Sequence, residues 1–145
     1  MDIARSLPSG RPTRLAPAGA ALSIALAAGL AAWGTFGEES ADAWEYLAVL
    51  GFIAGAAALV FGWAVPRGLR RESAGGTALA LAVLGLLSIA VFWSGLPPVL
   101  AGGGLVLGIA GWRAARDALL CRVAAVVAAF ALVGDVAVYV QDMAF

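Results

Sequence analysis

The sequence predicts an all-α, polytopic transmembrane bundle of five helices, and three observations lead there. Apolar residues make up 63% of 145 residues and 19 more are glycine, against roughly 45–50% for both together in an ordinary globular domain. Charged residues are 12%, too few to coat a water-soluble domain of this size. The nine cations, all arginine, are gathered into three clusters that separate long charge-free runs. Disorder is excluded by the same figures, because disordered chains are poor in apolar residues and rich in charge.

A spanning helix needs about 20 mostly apolar residues to cross ~30 Å of hydrocarbon. Residues 1–16 carry Arg5, Arg11 and Arg14 and read as a cytoplasmic N-terminal segment. A single helical membrane domain over 17–140 follows. Its first helix, 17–36, has an alternative reading as a cleaved signal peptide that would leave four helices. Its apolar run, however, exceeds the roughly 7–15 residues of a signal core. The second helix is 44–65. Asp42 and Glu45 have capping-box spacing, which starts it near Ala43, and Pro66 is expected to end it because a proline ring disturbs a helix interior. Gly75-Gly76 reads as a turn before the third helix, 77–94. Pro97 and Pro98 open the short fourth helix, 97–112, since a first turn has no intrahelical donors to lose. The uncharged link at Gly95 and Leu96 allows an alternative, a re-entrant 77–112 hairpin, provided that protein covers its irregular backbone. The fifth helix is 119–140, and 141–145 is an external tail. The C-terminal Phe145 invites comparison with an outer-membrane barrel, but runs such as 54–60 and 124–133 do not alternate as barrel strands do.

The arginines orient the bundle. Arg67, Arg70 and Arg71 lie between the second and third helices, and Arg113, Arg116 and Arg122 between the fourth and fifth, while the alternate connections have none. Cytoplasmic loops collect Arg and Lys, which places the N-terminus inside and the C-terminus outside. Trp33, Trp44, Trp63, Trp93 and Trp112 all fall near segment ends, the headgroup level that amphipathic rings favour. Lysine-free, alanine-rich usage points to a high-GC bacterium, and so to a bacterial inner (plasma) membrane.

The chemistry-bearing set is sparse. There is no histidine or lysine and one cysteine, Cys121, which leaves no zinc set and no common nucleophile–base pair. The expectation is a chain with no enzyme activity, no cofactor and no metal. A net charge of zero also argues against nucleic acid as a partner. Cys121 reads as an inert buried thiol. Glu38, Glu39, Asp42 and Glu45 cluster without the glycine-spaced pattern of a Ca²⁺ loop and read as helix-capping and topology-setting acids. Gly102-Gly103-Gly104 lacks the lysine of a phosphate loop.

Asp135 is the one ionisable residue well inside a predicted span. An acid there is by default a functional hypothesis whose partner must be named. Three readings follow: a helix frayed at Gly134 with Asp135 hydrated near the surface, a charge paired with a basic residue of another subunit, or a protonatable site. Within the chain only hydroxyls are at comparable depth, those of Tyr139, Ser94 and Thr35.

The glycines read as packing devices. Gly51 and Gly55, then Gly104 and Gly108, form GxxxG pairs, and Ala58 with Gly62 continues the first row. Small residues one turn apart let helix backbones approach closely, which drives association in lipid. Such rows serve either inside the bundle or against another protein. Gly62-Trp63 and Gly111-Trp112, each just before arginine, give a faint internal echo that chance explains. Residues 75–116, with their run 78–87 of Ala, Leu, Val and Gly closed by Ser88, the Leu96-Pro97-Pro98 turn and Gly111-Trp112-Arg113 before Arg116, resemble a paired-helix domain of unknown function in small Gly/Ala-rich actinobacterial membrane proteins. The resemblance implies a membrane module and carries no functional residue. The function expected from the sequence is a non-catalytic membrane protein, in the lipid bilayer, packing with itself or as an accessory subunit of a larger complex. The alternative is a small transporter or permeability factor using Asp135.

Overall fold

A computed structural model describes residues 12–36, 43–70, 74–112 and 117–144. The described residues are all-helical, with no strand among them. Helix α1 runs Pro12–Phe36 and α2 Ala43–Arg70. The third, α3, covers Ala74–Leu87 and continues as 3₁₀ turns over Ser88–Ser94. Helix α4 is Leu96–Gly111 and α5 is Ala118–Ala144. Four of the five are long and apolar enough to cross a membrane, and α4 is the short one.

The packing is that of a protein whose solvent is lipid. Large apolar side chains point out: Leu22, Leu59, Leu87, Leu119, Phe130 and Val133 are each about two-thirds exposed or more. The interior is built mainly from small residues, among them Ala27, Ala78, Ala82, Ala101, Ala124, Ala128 and Ala131, with Ile53, Val65, Val99 and Leu107 as its few larger members, all at or near zero exposure. Lipid tails are as apolar as leucine, so close backbone packing rather than hydrophobic contrast holds such helices together. This is a membrane protein.

Helix α4 is the hub. A Cβ on Gly104 would lie 2.8 Å from the Ala82 amide nitrogen of α3, and one on Gly108 would lie 2.8 Å from the Cys121 carbonyl of α5. Gly102 faces Ser23 of α1, Gly103 faces Val60 of α2, and Gly85 of α3 packs on the Ala101 backbone. Glycine therefore brings α4 close to all four neighbours.

Several boundaries differ from the sequence reading. Helix α1 begins five residues earlier than position 17, with Pro12 in the first turn and Pro17 inside. Helix α2 does not end at Pro66. A π-helical turn over Val60–Ala64 precedes the proline, with the Val65 N–H bonded to the Val60 carbonyl. The wider turn shifts the carbonyl ladder that the Pro66 ring would otherwise strike, so the helix continues to Arg70. Gly75 and Gly76 belong to the first turn of α3 rather than to a loop, because Gly75 sits against Leu120 and the Asp117 carbonyl, where a Cβ would fall 2.8–3.0 Å away. Helix α5 runs four residues past 140. Asp42, Glu38, Glu39, Arg5, Arg11, Arg71, Arg113, Arg116 and Phe145 lie outside the described residues, as does most of 1–16.

Contacts also set the depths. Arg14, Arg67, Arg70 and Arg122 gather at one end of the bundle, where Arg67 stacks over Trp63 at 4.3 Å and Arg122 over Trp112 at 5.9 Å. At the other end α3 turns into α4 at Gly95, in the left-handed conformation (φ 69°) that favours glycine. Gly95 is buried against Ile53 and Ala27. Helix α1 continues nine residues beyond Ala27, and α2 starts ten residues before Ile53. At ~1.5 Å per residue the turn therefore lies about 13–15 Å short of those helix ends. A helix start enclosed this way must not strand its amides. Pro97 and Pro98 have none, and the Leu96 N–H donates to the Ser94 hydroxyl at 3.3 Å.

Candidate functional site

Asp135 lies on the inward face of α5, in line with Cys121, Ala124, Ala128, Ala131 and Tyr139, all buried. That face is small because α5 must sit against α3 and α4 at backbone distance, so a carboxylate among alanines is out of keeping with its surroundings. Helix α5 passes through Gly134 without a break, and Gly134 is packed by Ile89 of α3, 3.3 Å from where a Cβ would stand. Asp135 is therefore not at a frayed, hydrated end. Its exposure is 0%, which also puts it out of reach of a basic side chain on a neighbouring subunit. Both carboxylate oxygens lack a hydrogen-bond partner among the described residues.

The hydroxyls expected nearby are engaged or outside view. Ser94 donates to the Val91 carbonyl at 2.7 Å, and Ser88 to the Gly85 carbonyl at 2.8 Å, both supporting the broken end of α3. The Thr35 side chain lies outside the described residues, and Tyr139 is buried one turn beyond Asp135. Gly108 opposes Ala125. Ten residues along each antiparallel helix from that pair, Asp135 comes level with Pro98 and the α3–α4 turn. There the backbone of α3 leaves helical geometry at Val91 (φ −121°, ψ 44°).

The two glycine rows have separate fates. Gly104 and Gly108 are buried against backbone on α3 and α5. Gly51, Gly55 and Gly62 are exposed on α2, with no atom of another described element within 4 Å of a Cβ at any of them, and Ala48 and Ala58 are exposed beside them. The close contacts at Gly19, Gly68, Gly75, Gly85, Gly102 and Gly103 were not anticipated. Their signal in the sequence is the segregation of small from large residues at helical spacing, as in α5, where Leu119, Val123, Val126, Phe130 and Val133 face out.

Cys121 is fully buried, which removes it from acylation chemistry at the surface. Glu45 is exposed, and among the described residues no three His, Cys, Asp or Glu side chains come together as a metal set would require. No protein-family model, curated protein or solved structure matches this chain. The functional reading rests on its own residues.

Proposed function

We propose that this chain is a non-catalytic integral protein of a bacterial plasma membrane, N-terminus inside and C-terminus outside. It works by packing as a homo-oligomer or as an accessory subunit of a larger membrane complex. The observation that carries this reading is the bare row Gly51, Gly55, Ala58 and Gly62 on α2. Facing lipid, such a row does nothing a leucine would not do better. Facing another helix, it permits the close backbone contact that drives association in a bilayer. The gathering of arginines at one end supports the orientation. The 16 residues of α4 rise only ~24 Å, and with its enclosed start this supports an α3–α4 hairpin that enters from the arginine face and turns within the outer part of the bilayer.

The rival, transport through Asp135, asks for a polar lining from that residue to the arginine face. The buried residues of α4 and α5 in between are Ala, Gly, Val, Leu and Cys121, which favours the packing reading. The deciding experiment is the native mass and composition of the tagged protein, extracted from its host membrane in mild detergent. A homo-oligomer or a stoichiometric partner is expected. A lone monomer at every detergent concentration would remove the proposal.

A further inference from the structure

We propose that Asp135 is the centre of a buried binding site for one monovalent cation, either a proton or Na⁺. The argument begins with cost. An ionised carboxylate enclosed among alanines with no donor cannot stand alone, so its charge must be neutralised where it sits. Among the described residues no cation of the chain stands near enough to do this. Helices α3 and α4 contain no ionisable residue, α1 has only Arg14 in its first turns, and α2 carries Glu45 and Tyr46 at one end and Arg67 and Arg70 at the other. On α5 itself Arg122 is thirteen residues away, ~20 Å along the axis, and the nearer groups are Tyr139 on the next turn and exposed Asp142. Zero exposure closes the site to a partner's side chain. What fits is an ion small enough to sit inside the packed interface.

The surroundings suit such an ion. At the same depth α3 departs from helical geometry at Val91, with the Ser88 and Ser94 hydroxyls bonded to nearby carbonyls. Broken helix backbone beside an intramembrane acid is a ready source of carbonyl oxygens for a cation. Asp135 and the interrupted backbone of α3 thus share one level of the bundle, near the α3–α4 turn.

The test is infrared difference spectroscopy of the full chain in phosphatidylethanolamine–phosphatidylglycerol vesicles, wild type minus Asp135→Asn, at neutral pH. In choline chloride, where the proton is the only cation small enough, the wild type is expected to show one protonated-carboxyl band that the variant loses. Added sodium chloride then separates the occupants. Conversion of that band to carboxylate bands identifies Na⁺, and no change identifies the proton. Carboxylate bands in choline chloride that sodium leaves unmoved would overturn the site. Asp135→Glu is the second variant: it keeps the carboxyl, so the band should shift rather than vanish. The sodium response of the wild type alone stands even if neither variant folds. Native mass is expected to be the same for wild type and Asp135→Asn, so this result and the oligomer result fail independently.

Discussion

Two rows of glycine carry the same spacing in this molecule and do different work. In α4, Gly104 and Gly108 touch the Ala82 amide, the Ala78 carbonyl, the Cys121 carbonyl and the Ala125 amide at distances no Cβ could share. In α2, Gly51 and Gly55 face no other described helix. The difference lies in what surrounds each helix. The short α4 has a neighbour on every side, whereas α2 packs through Ile53, Ala57 and Val60 and leaves its glycines outward. A small-residue pattern states that a helix can be approached closely. It does not state by what.

The comparison breaks most visibly at the buried row. Gly104→Val and Gly108→Val should each cost at least the roughly 1–3 kcal/mol of ordinary overpacking, because the obstructing atoms are backbone and cannot step aside. Thermal unfolding in detergent should show a large fall in melting temperature or no folded protein, and an unchanged melting point would refute the hub assignment of α4. Next comes Gly103→Ala. Its obstruction is the Val60 side chain, which can yield, so the cost should be nearer about 1 kcal/mol. Pairing it with Val60→Ala should recover part of that loss in a double-mutant cycle. Smallest in stability, but not in consequence, are Gly51→Leu and Gly55→Leu. The isolated chain should change by no more than about 0.5 kcal/mol, while the native mass should fall to that of the monomer. An oligomer that survives both substitutions would mean that α2 is not the contact face.

Asp135 gives a second contrast within α5. Phe130 and Val133 face outward at about 70% exposure, and two residues beyond Val133 a carboxyl is wholly enclosed. The helix does not unwind to release it. Its neighbour Gly134 instead admits Ile89, which tightens the packing of α3 on α5 around the acid.

Much of the bundle is legible in the sequence alone. Charge-free runs near membrane length marked all five helices, and the arginine clusters marked the shared end that Arg14, Arg67, Arg70 and Arg122 occupy. Local chemistry was less dependable. Pro66 reads as a stop and is passed by a π turn; Gly75-Gly76 reads as a loop and is a helix start pressed against α5. In each case a tertiary contact or a change of helical register outweighed the propensity of the residue.

The sequence by itself determined that the solvent is lipid, how many helices there are, and at which end the cations collect, because composition and run length are set against a bilayer of fixed thickness. Only the tertiary structure decided which face of each helix turns inward. In water an apolar stripe would have revealed it, but in lipid both faces are apolar and the distinction shrinks to one of size. For that reason the short α4 could not be recognised as the hub, the two glycine rows could not be told apart, and Asp135 could not be placed inside until the helices were assembled around it.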